Sequence, residues 1–380
     1  MDLSDSAERW QDAAFRRLER KMERQLERVG SSIPYAPIKG RYIDCMMPGG
    51  LSWWTNGFWS GMLWQMHMAT KEERYKETAQ KVDERLGGAL SQFEGLNHDI
   101  GFMFSPSAVT NWRVTGNTDS RRQALHAANL LAGRFNPTGN FIRAWDESMW
   151  GDTTGWMIID CLLNLPLLYW ATDETGDPRF ADIATRHANT ALSFISRGDG
   201  SCCHIASFAP KSGEFLGSVE GQGFSKDSSW SRGQAWAVYG FALACRHTED
   251  TAFLDKAKNC AHYCIANLAI SDWLPFVDFR APKEPVKHDS GAGAILACGF
   301  LEIAERVPDL EKRMYLDAAY KTLQAIEKKF ANWDPETDGI LRGATTMYHN
   351  DRMPSDSFIY GDYFFMEAIL RLCDKNYMIW

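Results

Sequence analysis

Two aspartates stand where carboxylates are costly. Asp99 lies in Asn97-His98-Asp99-Ile100-Gly101-Phe102, an ionisable pair set between apolar residues and a glycine. Asp160 follows Ile158 and Ile159 and precedes Cys161, Leu162 and Leu163, within the run GWMIIDCLLNLPLLYWA at 155–171. Apolar surroundings disfavour an ionised carboxyl, so Asp160 is expected to have a raised pKa and to donate a proton near neutrality. With Asp99 facing it across a cavity, mutual repulsion would keep one of the two protonated, and they would titrate as a unit. Plainer readings compete: a cap or a buried ion pair with an arginine for Asp160, an N-cap or turn residue for Asp99.

Aromatic and polar side chains gather in the same stretches. Trp53, Trp54 and Trp59 fall in LSWWTNGFWSG, Trp145, Trp150 and Trp156 precede Asp160, and Trp230, Arg232, Gln234 and Trp236 form WSRGQAW. Fifteen tryptophans in 380 residues is a rich content, of which most are expected to be core. Set beside polar groups, they suit a sugar site, where ring faces meet the C–H faces of pyranoses and forked donors meet hydroxyls and carboxylates.

These residues need a scaffold, and its periodicity is helical. Trp10, Ala14, Leu18, Met22 and Leu26 recur every fourth residue, which predicts an amphipathic helix from about Ser6 to Val29 stopped by Gly30. Downstream, a turn followed by an amphipathic helix recurs from Thr70, Thr115, Thr175, Thr248 and Pro308. Before the first, third, fourth and fifth of these lies a more apolar helix rich in small residues, such as RGQAWAVYGFALACRHT. A helix apolar on most faces must be buried, and its amphipathic successor covers it. With the N-terminal helix and the last one, GDYFFMEAILRLC, about six hairpins fit. Closed into a ring they make an all-α (α/α)6 barrel, one domain over 1–380 whose inner helices line a cavity; an open solenoid is the alternative. Short β-ladders are expected in SFAPKSGEFLGS and ILRGATTMYH, but no large sheet. The chemistry belongs at the N-terminal ends of the inner helices and the loops leading to them.

Composition narrows the partners. A formal net charge of -8 gives no electrostatic reason to bind nucleic acid or an anionic membrane. The N-terminus lacks the apolar core of a signal peptide and no run is long enough to span a bilayer, so a cytoplasmic location is expected. Nine cysteines, several inside apolar helices, read as reduced core thiols. Cys260 and Cys264 straddle His262, but no second pair at ligand spacing accompanies them, so no metal or other cofactor is expected. The chain is expected to act as a monomer or a weak homo-oligomer.

In order along nearly the whole chain, HDIGF, IIDCLLNLPLLYWA, WSRGQAWAVYGFAL, DSGAGAILACGFLEIA and YGDYFFMEAILRL resemble the unsaturated glucuronyl hydrolases, glycoside hydrolase family 88. The resemblance implies an (α/α)6 barrel that removes the terminal 4-deoxy-hex-4-enuronic residue from unsaturated oligosaccharides made by polysaccharide lyases. It puts the catalytic acid/base on Asp160 and its partner on Asp99. Ring and water binding fall on His98, His204, Gln222, Trp230, Arg232 and Trp236, with Trp53 and Trp145 as stacking platforms. Arg232 offers a fork for the substrate carboxylate, or else holds its loop by pairing with an acid such as Asp227. The chemistry this implies is hydration of the C4=C5 enol ether rather than displacement at the anomeric carbon. RGATTMYHNDRMPSDSF, 342–358, matches the family least and leaves substrate preference open. Alternative functions are an unsaturated rhamnogalacturonyl hydrolase, a sugar epimerase or isomerase on the same barrel, or a barrel that only binds oligosaccharide.

Overall fold

The structure, a computed structural model, describes residues 3–146, 151–349 and 357–380, so Trp150 and part of the divergent 342–358 stretch lie outside the described residues. Its helices are α1 (Leu3–Val29), α2 (Phe58–Thr70), α3 (Glu73–Gln92), α4 (Ile100–Phe104), α5 (Thr110–Thr115), α6 (Thr118–Gly133), α7 (Pro166–Thr175), α8 (Arg179–Phe194), α9 (Ser231–Thr248), α10 (Thr251–Ala269), α11 (Ser290–Ala304), α12 (Asp309–Phe330) and α13 (Ile359–Leu372). Six helical rods form an inner ring: α2, the run from α4 to α5, α7, α9, α11 and α13. The other six wrap them, giving the (α/α)6 barrel.

Burial follows from composition. All of α11 is buried, and so are Ser231–Cys245 of α9 and Ile359–Arg371 of α13. The outer α8 buries only a stripe, Phe180, Ala184, His187, Ala188, Thr190 and Ala191. The repeating threonine has a physical cause. Thr70, Thr115, Thr175 and Thr248 each end an inner rod, and each Oγ1 donates to the carbonyl four residues back. The same oxygen accepts the N–H two residues on. The residue between, Lys71, Gly116, Gly176 or Glu249, is left-handed with φ from 58° to 73°, which turns the chain back within two residues.

The ring closes between its ends. Phe58 of α2 meets Tyr363 and Phe364 of α13 at 5.1 and 5.6 Å between ring centroids. The outer cover of α13 is α1, whose Gln11 side chain donates to the Leu372 carbonyl. Trp380 packs below, parallel to Phe364 and edge-on to Phe102, with its indole N–H on Glu367.

Two expectations need correction. The segment before Thr115 is an inner rod too, although Pro106 interrupts its pattern; a π-helical turn, Ser105–Val109, absorbs the proline between α4 and α5. Asp160 is not inside a long helix. It sits in a 3-10 turn, Ile159–Leu163, after a strand. Seven short strands occur among the described residues: β1 (Pro37–Ile38), β2 (Arg41–Tyr42), β3 (Phe135–Asn136), β4 (Phe141–Ile142), β5 (Trp156–Ile158), β6 (Ile205–Phe208) and β7 (Phe215–Val219). The expected ladder in SFAPKSGEFLGS is β6 against β7, with β5 on its other side. In ILRGATTMYH there is only a bridge from Leu341 to Ala331.

Candidate active site

The small sheet aligns one half of the site. β5 and β6 run antiparallel with Ile158 opposite Ile205, and the Ile159 N–H donates to the His204 carbonyl at 3.1 Å. That register sets the His204 side chain beside Asp160, Nε2 to Oδ2 3.4 Å. The backbone N–H of Gln222, beyond the end of β7, donates to His204 Nδ1 at 3.0 Å. A neutral His204 with Nδ1 so occupied carries its proton on Nε2, facing the carboxyl. Gly221 makes this approach possible: a Cβ there would lie 1.9 Å from His204 Nδ1.

The other half comes from the loop after α3. The His98 N–H donates to the Ala144 carbonyl, and the Ala144 N–H to the Trp156 carbonyl, so a short strap joins this loop to β5. His98 Nε2 is 3.5 Å from Asp99 Oδ1, and the His98 ring meets Trp145 edge-on at 6.3 Å. Asp99 occupies the N-cap position of α4. Gly101 lets that helix touch the Asp160 turn, since a Cβ there would fall 2.5 Å from the Asn164 Cα.

Both carboxyls open into a cavity of about 420 Å³, walled by Ser52, Trp53, Trp54, Asn97, Trp145, His204, Gln222, Arg232 and Met347 among others. Asp99, Asp160, His204, Gln222, Arg232, Trp53 and Trp145, chosen from sequence, are therefore brought together on its wall. Three other choices are not on the wall. His98 is 1% exposed and stands behind Asp99. Trp230 lies under the cavity, its ring 4.6 Å from His204 and 4.5 Å from the Arg232 guanidinium. Trp236 is fully buried against Phe102 and Phe364, because four residues along α9 from Arg232 is one turn deeper into the barrel. It is core, not a sugar contact. Sequence reading marked Trp54 beside Trp53 without choosing it as a sugar contact, and left out Asn97 and Met347 on the wall and Asp289 behind it.

Arg232 holds the wall. Its Nη1 donates to Asp289, Tyr360 Oη and the Thr345 carbonyl, and its Nη2 to the Thr346 carbonyl. The paired acid is thus Asp289, 3.1 Å away, and not Asp227, whose ion-pair partner is Lys226. With the guanidinium also between the Trp230 and Tyr360 rings, most of its donors are committed to the protein.

The proton sits elsewhere than expected. Burial, then the charge of Asp160, pushes the Asp99 carboxyl well above the ordinary carboxylate value. Burial pushes Asp160 up as well, but the neighbouring His204, with His98 and Arg232, outweighs it and leaves this carboxyl below its ordinary value. Burial drives His98 to about 3, so it is uncharged near neutrality and the weight falls on His204 and Arg232. The pair therefore carries its proton on Asp99 and its charge on Asp160, the reverse of what the apolar run around Asp160 suggested.

Comparison with known proteins places this geometry. The family model described as Glycosyl Hydrolase Family 88 matches residues 27–363. An unsaturated glucuronyl hydrolase of Bacillus sp. (strain GL1) is 40% identical over 324 residues, 84% of this chain and 86% of the relative. An unsaturated chondroitin disaccharide hydrolase of Streptococcus pyogenes serotype M1 is 36% identical, covering 84% of this chain and 80% of that one. The crystal structure of an unsaturated glucuronyl hydrolase responsible for the degradation of glycosaminoglycan, from Bacillus sp. GL1, superimposes with a TM-score of 0.88 at 37% identity over 96% of both chains. Family model, relatives and barrel agree: the chain belongs to glycosyl hydrolase family 88.

Proposed function

We propose that this protein is an unsaturated glucuronyl hydrolase, releasing the terminal 4-deoxy-hex-4-enuronic residue from lyase-generated oligosaccharides by hydrating its C4=C5 bond. The observation that carries the reading is the carboxyl pair Asp99 and Asp160, each backed by a histidine and both facing a tryptophan-walled cavity. The relatives favour it over the rhamnogalacturonyl and epimerase readings.

In this reading Asp160 is the acid. Protonation of C4 moves cation character to C5 and the ring oxygen. The resulting carboxylate takes a proton from water as the water attacks C5; the hemiketal opens to a C5 ketone and leaves a hemiacetal at C1, which collapses to release the second sugar and one open-chain product carrying both an aldehyde and an α-keto acid. In the protein alone the Asp160 carboxyl is held below its ordinary value, but the substrate brings its own carboxylate. A negative charge beside Asp160 raises its pKa and draws the proton of the pair onto it. Asp99 is the store for that proton and a partner for sugar hydroxyls. His204, with its Nε2 proton toward Asp160, positions the water, while His98 supports Asp99 from behind. Trp53 and Trp145 stack on the sugar, and Gln222 binds it. No step calls for a cofactor.

The proposal extends to the setting: the whole of 1–380 works as one catalytic domain, in the cytoplasm, as a monomer or weak homo-oligomer. In support, no helix of the described residues is long and apolar enough to cross a membrane.

The test is incubation with lyase-generated disaccharides in deuterium oxide, following the ultraviolet absorbance of the C4=C5 bond and the mass of the products. Loss of absorbance with one solvent deuteron at C4 of the keto acid is the expected result. Prompt cleavage of a saturated glucuronide, with oxygen from water on the anomeric carbon, would overturn the mechanism.

A further inference from the structure

Asp99 begins a helix but does not cap it. An N-cap aspartate ordinarily accepts the N–H of the second or third helical residue through its own side chain. Elsewhere in this chain that rule holds: Asp250 accepts the Ala252 N–H, Asp289 accepts the Ala292 N–H even while paired with Arg232, and Asn117 accepts two such N–H groups. At α4 the Asp99 side chain makes no such bond. The third N–H of the helix, that of Phe102, instead donates to Asn164 Oδ1 at 2.7 Å.

Asn164 comes from the Asp160 turn and is fully buried. Its Nδ2 donates to the Asp160 carbonyl at 3.2 Å, so one amide ties both carboxyl-bearing turns together. Gly101 supplies the close contact this needs. We propose that Asn164 caps α4 in place of Asp99, and so keeps the Asp99 carboxyl free to face the cavity. Asn164 is a positioning residue: it acts through Asp99 and need not touch substrate. The inference rests on the proposed function only in supposing that Asp99 serves the reaction.

Without Asn164 the Phe102 N–H loses its 2.7 Å side-chain acceptor and keeps only the Asp99 backbone carbonyl at 3.0 Å, and the Asp99 side chain, in its ordinary capping role, is the acceptor that replaces the lost one. Capping draws the carboxyl out of the cavity and, by giving its charged form a backbone N–H, lowers its pKa. A mere neighbour role forecasts the opposite. The Asn164 amide stabilises the charged Asp99 carboxyl where it now stands, so its loss with no movement would raise that pKa.

The experiment compares Asn164→Ala with Asp99→Asn and the double variant, and follows the Asp99 carboxyl by carbon-13 NMR titration. Expected are a fall in the Asp99 pKa, a loss of turnover of about 10²-fold in the single variant, and no further loss when Asn164→Ala is added to Asp99→Asn. An Asp99 pKa that rises or stays put, or losses that multiply in the double variant, would overturn the proposal. Should Asn164→Ala fail to fold, Asn164→Leu keeps the branched shape, lacks the acceptor and carries the same forecasts. The two readings fail separately: Asp99→Asn with full activity removes Asp99 from the mechanism, while the titration still reports whether Asn164 holds it in place.

Discussion

The two catalytic candidates differ by what stands behind them. Asp160 has a histidine N–H within 3.4 Å and the Arg232 charge nearby, whereas His98 beside Asp99 is uncharged near neutrality. Asp160→Asn should fold and lose ~10²–10⁴-fold in turnover, since the amide keeps the shape without the transferable proton; more than about a tenth of wild-type activity in a steady-state assay would reassign the acid. For Asp99 the sign of the pH effect follows from its raised pKa. The free enzyme holds this proton at low pH and loses it as pH rises, so kcat/KM should fall on the alkaline side at a value above the ordinary carboxylate range. Asp99→Asn, neutral throughout, should lack that limb. The same shift bears on stability. A raised folded-state pKa contributes stability fully present below the unfolded value and lost as pH rises through the folded one. Asp99→Asn should therefore melt higher than wild type, by a margin that grows with pH and vanishes in acid; a uniform or shrinking margin would contradict the burial argument. Residue types and an apolar context made both acids visible in the sequence, but not which one holds the proton. That depends on His204, which sits 44 positions away from Asp160 in sequence and meets it only through the register of β5 and β6.

At the level of elements, the pattern of helices was legible because burial imposes it. Threonines at the ends of inner rods mark four of the turns, and the all-apolar runs mark most inner helices. What escaped was local and short. The proline in the rod from α4 to α5 breaks a 3.6-residue pattern that the π-helical turn restores in space. A three-residue strand such as β5 has too few residues to show alternation. Trp236 was misplaced for a related reason: composition marks WSRGQAW as unusual, but only helical phase decides that Arg232 reaches the cavity and Trp236 does not. The β5–β6–β7 sheet is the element on which the site depends most directly, and Gly221, beyond the end of β7, is where the chain closes on His204. Gly221→Ala would force a Cβ into the His204 ring, so the ring or the strand must move. Displacement of this size should lower kcat/KM by about 10²-fold with the helical circular dichroism unchanged. Near-normal kinetics would show that the Gln222 N–H to Nδ1 bond does not set the position of His204.

On the scale of the whole molecule, stability and chemistry are spatially separated. The cavity occupies one end of the barrel, where loops enter the inner helices. Trp380 and the Glu302 network with Arg246, Arg306 and Arg371 lie away from it. Leu18 of α1 is fully buried in the outer wall, so Leu18→Ala should cost ~2–5 kcal/mol in denaturant unfolding and leave kcat of the folded enzyme unchanged; a matching fall in kcat would mean the outer wall is coupled to the site. The way the ring closes has a further consequence, for synthesis rather than catalysis. Five hairpins pair an inner rod with the outer helix that directly follows it, so each can collapse soon after it leaves the ribosome. The sixth is divided, with α1 covering α13. At about 5–20 residues per second, α1 waits tens of seconds for its partner with Ala14, Leu18 and Met22 unburied. During translation that greasy stripe is the natural foothold for a chaperone.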